Sequence, residues 1–472
     1  MIACCGLIIL SLQTIFGADT NWGSMRTQVE QMVQIVCALE SALFLGQKIG
    51  IASLQSFGLY GSFDNPAGLA SCLCIGFPCG FISLSGEKSR YRRYFWIGKS
   101  LCVFALLASG SRSGLICIML IIMMKLCRGQ GKARFLAVST FLLFFVFLVF
   151  YIKQDSTNGR FFIYQRSIEL MRQKLIWGWG LGGFDKFYMN CQADFFMAHP
   201  DSPYALLADN IRHPLCEWLL CGINFGLTGV VSILLLLTYT VKVALRKCNN
   251  DRTGLEILMV VFTMSLFSYP MSYPFTWLML MFAIDRIYGI SWKKEMSCFL
   301  LPISAWSLLA CLNNSKLDME MLKLQKINSH GIYETTLPEY MRLYNSMGDN
   351  FYFLYSYAVA LCESGRPSEA FRVIRECQAK VADYDVCLLA GDICCSIGKY
   401  DEAIGEYQRA HYMCPSRFIP LYELLGALRK QGKTNDALTI AREIVDKPIK
   451  VESVEIDRIV DEAKRFVASN GG

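Results

Sequence analysis

Long apolar runs alternate with short basic segments over the first 312 residues, and the chain then changes to the composition of a soluble domain. Phe135 to Ile152, Trp218 to Val241 and Ile257 to Ile284 hold no charged residue, and about 20 apolar residues suffice for a helix to cross a bilayer. The pattern predicts about ten apolar helices, at 2–16, 28–47, 66–86, 95–110, 112–127, 134–153, 214–243, 254–270, 273–290 and 296–312. The first is expected to be a retained helix, because no basic residue precedes it and no small-x-small cleavage site follows.

Charge supplies a direction. Lys88, Arg90, Arg92, Arg93 and Lys99 fall in or beside one inter-span loop, Lys125, Arg128, Lys132 and Arg134 in or beside a second, Lys242, Arg246, Lys247 and Arg252 in or beside a third, and Arg286, Lys293 and Lys294 in or beside a fourth. The alternate loops at 49–65, 109–113 and 270–274 hold only Arg112. Basic short loops face the cytoplasm, and the alternation holds only if 254–290 is a hairpin turning at Ser268–Pro274. The segment from Lys153 to His213, and everything beyond about Leu312, is then expected outside the cytoplasm.

The C-terminal part repeats itself. GRPSEA begins at Gly365, GKYDEA at Gly398 and GKTNDA at Gly432, the spacing of tetratricopeptide repeats, whose helix pairs stack into binding surfaces. The expected fold is all-α: a polytopic helical membrane bundle over 1–315 with a periplasmic loop at about 154–213, a connecting segment at 316–345, and a tetratricopeptide-type solenoid over 346–472.

Of the 472 residues, 54% are hydrophobic and 18% charged, with a net charge of +7. Charge this sparse fits lipid. The basic residues fall in short loop clusters with no RNA-binding aromatic motif or finger spacing, which argues against nucleic acid. Cys72, Cys74, Cys79, Cys102 and Cys117 sit inside apolar runs as small hydrophobes, whereas the pairing of Cys362, Cys377, Cys387, Cys394, Cys395 and Cys414 stays open. The histidine spacing supports no metal site, and no cofactor is implied.

Candidate chemistry concentrates in the outward segment. Arg160, Ser167 and Lys174 share a helix face at seven-residue spacing, as either a cationic surface for an anionic head group or a solvated basic face. Gly178, Gly180, Gly182 and Gly183 lack the strand and the GK[ST] of a nucleotide loop, so a tight turn is expected. His213, beside Arg212 and ahead of an apolar span, is either a general base or an interfacial residue. Glu40 and Glu217, within or at the edge of apolar spans, either support function or pair with a neighbouring helix.

GSFDNPAGLASCL (61–73), ASGSRSGL (108–115), NGRFFIYQRSIELM (158–171) followed by GWGLGGF, and ADNIRHPLCEWLL with NFGLTG, taken in order, resemble the O-antigen ligase and O-antigen polymerase family across most of 58–290. Some members also carry tetratricopeptide repeats after the last span. The resemblance implies a multi-pass protein of the bacterial inner membrane. It would transfer a glycan from an undecaprenyl-diphosphate carrier to a lipid, glycan or protein acceptor at the periplasmic face, without nucleotide or essential metal. It implies Arg160 and His213 as catalytic residues and Arg112, Arg166 and Arg212 as diphosphate ligands, with Glu217 and Glu40 in support. Cations would stabilise the departing diphosphate and a base would serve the acceptor hydroxyl. Many members carry the histidine directly before Asn-Glu-Tyr-Leu. Here Leu215-Cys216-Glu217-Trp218-Leu219 stands at that place, with His213 two residues earlier. The competing expectation is therefore a non-catalytic membrane scaffold whose repeats recruit a periplasmic protein partner.

Overall fold

The computed structural model describes residues 22–50, 60–63, 65–80, 89–126, 154–247, 252–289 and 294–470. The expected spans at 2–16 and 134–153 lie outside them, as do Lys88, Arg128, Lys132, Arg134 and Lys293 of the basic loops. The described residues are helical without a β-strand, apart from one isolated bridge between Tyr60 and Phe63. The chain divides into two compact units.

The first unit takes in residues up to 154, 215–221 and 228–312. Its helices are α1 (Trp22–Lys48), α2 (Pro66–Gly76), α3 (Ser89–Ser109) and α4 (Arg112–Leu126). Two helices of the second unit follow, α5 (Gln154–Gln173) and α6 (Gly183–Ala198). The chain returns to the first unit through most of α7 (Glu217–Lys247), then α8 (Thr253–Phe267), α9 (Pro274–Tyr288) and the start of α10 (Lys294–Asn328).

Two of the described helices are long and apolar enough to cross a membrane, Arg26–Lys48 and Glu217–Arg246. They match the expected spans at 28–47 and 214–243, and the other expected spans among the described residues fall short of that measure; the span at 66–86, whose residues 81–86 lie outside the described ones, is the clearest case. Its helix ends at Gly76 after 11 residues, a rise of about 16 Å against a hydrocarbon core of about 30 Å. Leu235 and Leu236 on α7 are each 66% exposed and Val231 is exposed beside them, a surface suited to an apolar surround rather than to water. α2 is instead the centre of the unit, with Leu69, Leu73, Cys74 and Ile75 fully buried against α4, α8 and α9. Its small residues admit close neighbours: a methyl added at Gly68 would stand 2.6 Å from the Tyr273 hydroxyl.

The hairpin expected at 254–290 is present. α8 and α9 pack side by side around a turn at Pro270–Ser272, which brings Gly254 against Ala283, Arg286 and Ile287. Basic residues at this end are paired: Arg26 with Asp285 at 2.7 Å, Lys125 with Glu256 at 2.9 Å, and Arg286 with the buried Glu30 at 3.1 Å. At the turn end, hydrogen bonds join the loops that the charge pattern groups together. Asn65 caps α2 through the Gly68 amide and donates to the Tyr269 and Tyr273 hydroxyls at 2.8 and 3.0 Å.

The second unit comprises Asp155–Pro214, Gly222–Leu227 and Asn313–Gly472. The sequence assigns 154–213 to the membrane domain, yet this segment folds with the C-terminal helices. The expected connecting segment is helical too: the end of α10 and α11 (Leu337–Met347) place Met321, Leu324, Tyr340 and Leu343 in one core with Phe353 and Tyr357.

Three helix pairs follow: α12 (Phe351–Glu363) with α13 (Pro367–Lys380), α14 (Tyr384–Ser396) with α15 (Tyr400–Met413), and α16 (Ile419–Lys430) with α17 (Thr434–Asp446), closed by α18 (Val454–Asn470). Each pair turns on a left-handed glycine, Gly365, Gly398 or Gly432. At each turn the next amide reaches back five residues, Arg366 to Leu361, Lys399 to Cys394 and Lys433 to Leu428. Such glycine caps satisfy the last carbonyls of the helix. Ala370, Ala403 and Ala437 are completely buried where the paired helices meet.

Lys447, just past α17, donates to the Pro415 carbonyl, and burial pulls its amine down to about 8. Between about pH 8 and the ordinary lysine range the unfolded chain binds a proton that the folded chain does not, so stability rises with pH there. Thermal melts in detergent at pH 7.5 and 9.5 should show this rise in the wild type and a smaller one in Lys447→Met.

Candidate functional site

The glycine-rich loop after α5 is the expected tight turn, and it closes on a break in α7. Gly226 interrupts that helix at φ 65° and ψ −164°. Facing it, the Trp179 amide donates to the Ile223 carbonyl at 2.8 Å, Gly180 to Asn224 at 2.9 Å, and Leu227 back to Leu175 at 2.8 Å. Close approach explains the glycines on both sides, because a Cβ at Gly178 would stand 2.5 Å from the Asn224 carbonyl. GWG and NFG are thus two halves of one joint.

On α5, Phe162 and Leu170 are buried and Ser167 is fully enclosed. The 160–167–174 row is therefore not a continuous basic face. Lys174 lies beyond the end of α5, over the Trp179 ring at 4.2 Å. Arg160, half-buried, belongs to the first half of α5. Arg166 pairs with Glu169 and stacks 4.2 Å from the Phe195 ring centre; van der Waals and cation–π contacts of this kind hold a guanidinium in place.

The segment from Asp209 to His213 crosses the ends of the repeat helices. Asp209 pairs with Arg417 ahead of α16 at 2.7 Å. Asn210 donates to Asp383 at 3.0 Å. Arg212 donates to the same carboxylate at 2.8 Å, with its guanidinium 4.7 and 4.6 Å from the Phe351 and Tyr352 rings at the start of α12. Asp383, only 1% exposed, also caps α14 by accepting from the Asp385 and Val386 amides. Behind this segment, Gln192 on α6 donates to the carbonyls of Asp209 and Met413, and the Ala382 amide donates to the Asp185 carbonyl at 2.9 Å. Burial pushes the Asp185 carboxyl above its ordinary range, while Arg212 and His213 draw it back.

Asp383 and Asp185 are the residues that sequence reasoning missed. Asp383 carries a legible cap signal, an aspartate opening an apolar helix, but nothing local ties it to Arg212, 171 positions away. After His213 the backbone is constrained. Pro214 is buried, and Leu215 is the one non-glycine residue with positive φ among those described, at 54°. That conformation costs a leucine about 1–2 kcal/mol and persists where surrounding structure imposes it.

The remaining sequence candidates belong to the first unit. Glu40 accepts the Ser62 amide and hydroxyl at 3.0 and 2.7 Å. Glu217 accepts the Met271 amide at 3.0 Å, which anchors the 270–272 turn. Both carboxylates are engaged in holding loops. Arg112 opens α4, beside a serine cluster in which the Ser111 and Ser113 hydroxyls lie 3.3 Å apart.

Residues 97–234 match the family described as O-antigen ligase. The match supports O-antigen ligase-type function for this stretch and, with the apolar helices, placement in a membrane. No curated protein matches the chain.

Proposed function

We propose that this protein is a membrane glycan transferase of the O-antigen ligase type, moving a glycan from an undecaprenyl-diphosphate carrier to a lipid, glycan or protein acceptor at the periplasmic face. The observation that carries the reading is the family match over 97–234, which contains Arg112, Arg160, Arg166, Arg212, His213 and Glu217. In the reaction the acceptor hydroxyl oxygen bonds to the anomeric carbon as the bond from that carbon to the diphosphate breaks. The hydroxyl proton passes to His213 and the carrier diphosphate departs with the electron pair. Arg160 is the cation assigned to the growing charge on the diphosphate, where a planar guanidinium group matches phosphate oxygens. Arg212 and Arg166 are assigned to holding the segments around them, given their partners Asp383 and Phe195. The C-terminal helix pairs are of tetratricopeptide type and lie on the periplasmic side.

Membranes or proteoliposomes supplied with lipid-linked glycan and a panel of acceptors test the proposal. Arg160→Ala and His213→Ala should each lower transfer by about 100-fold or more at unchanged membrane levels. Cells lacking the protein should accumulate undecaprenyl-linked glycan. Full transfer in both variants discards the residue assignment, and absence of accumulation discards the enzyme. A reporter fused after residue 472 should be active in the periplasm; activity confined to the cytoplasm reverses the orientation.

A further inference from the structure

We propose that the helical repeats act on their own chain, as a clamp that sets the position of His213, with Asp383 as the positioning residue. The inference rests on the transferase reading for the role of His213, and on geometry for the clamp itself.

Three successive helix pairs each contribute a contact at the start of their first helix. Arg417 takes Asp209, Asp383 takes Asn210 and Arg212, and the Phe351 and Tyr352 rings pack on the Arg212 guanidinium. The segment is therefore read across the repeats much as an extended peptide ligand would be, by side chains spaced one repeat apart. Arg212, the last residue of this row, directly precedes His213, whose Cα follows about 3.8 Å further on across the trans peptide. On the other side stand Pro214, with its restricted φ, and the left-handed Leu215. The histidine is thus bracketed by a clamp and by a strained turn. Simple docking of a loop would not require a buried carboxylate shared between a helix cap and two side chains of the loop. Arg212 and His213 both act electrostatically on Asp185 of α6, and the Ala382 amide ties the Asp185 backbone to the same edge.

Asp383→Asn separates the two tasks of this residue. Asparagine caps a helix as well as aspartate does, so α14 keeps its start, while Arg212 loses its counter-charge. With the full-length protein in proteoliposomes, kcat for glycan transfer should fall about tenfold to 100-fold, as misplacement of a catalytic group predicts, with KM for the lipid-linked glycan little changed. Amide exchange over 205–214 should quicken while that of α14 and α16 stays slow. Arg212→Lys, which keeps the charge but not the stacked plane, should recover part of the loss relative to Arg212→Ala.

Unchanged kcat together with faster exchange at 205–214 would overturn the positioning role. Unchanged exchange would overturn the clamp. If the wild type transfers no glycan, the transferase reading falls separately, and exchange alone decides the clamp: quickening at 205–214 supports it and unaltered protection refutes it.

Discussion

Gly226→Ala should unfold the joint between the glycine-rich loop and α7, with a fall in stability of about 3 kcal/mol or more. Two effects add. The backbone at φ 65°, ψ −164° lies in a region essentially reserved for glycine. The added Cβ would also collide with the Ile176 carbonyl and stand 2.7 Å from the Trp177 nitrogen, and backbone cannot swing aside as a flexible side chain can. Relief of the clash must break the hydrogen bonds from Trp179, Gly180 and Leu227, and the Ile223 and Asn224 carbonyls that lose their partners belong to buried residues, where an unmade hydrogen bond is costly. Gly180→Ala is the control: it too has positive φ, but nothing lies within 4 Å of the new atom, so a cost of about 1–2 kcal/mol is expected. Melting temperatures of the two purified variants in one detergent provide the comparison. Equal melting would mean that the loop does not hold the break in α7.

Arg212→Ala should destabilise the second unit by about 1–3 kcal/mol, because it leaves the buried Asp383 carboxylate short of a partner although the arginine itself is partly exposed. Asp383 is 1% exposed and would keep Asn210 and its two cap amides but no counter-charge. The outcome also discriminates between two roles for Arg212. The family resemblance assigns it to the diphosphate, whereas its contacts are those of a structural clamp. A lowered melting temperature with faster proteolysis at 205–214 supports the clamp. A stable variant whose KM for lipid-linked glycan rises steeply would return Arg212 to the ligand set.

Local signals account for much of the architecture. Apolar run length places helices at eight of the ten expected positions, and the remaining two lie outside the described residues. The charge alternation requires the 254–290 hairpin, and the ion pairs of Arg26, Lys125 and Arg286 gather at the end where the basic loops belong. The three glycines at 33- and 34-residue spacing mark turns that share one hydrogen-bond pattern. Run length fails at 66–86, because an apolar sequence specifies burial and not the length of helix that is buried. Inside a bundle, α2 can stop after 11 residues with protein on all sides.

Periodicity, charge and short motifs a few residues long were enough to place most of the described helices, the 254–290 hairpin, the glycine turns and the two-part composition. Only the tertiary structure decided that residues 155–214 fold with the C-terminal repeats, that Asp383 answers Arg212, and that GWG and NFG form a single joint. These are pairings between residues tens to hundreds of positions apart. One carboxylate among many, or one glycine among 36, carries no mark of its distant partner until the chain has folded.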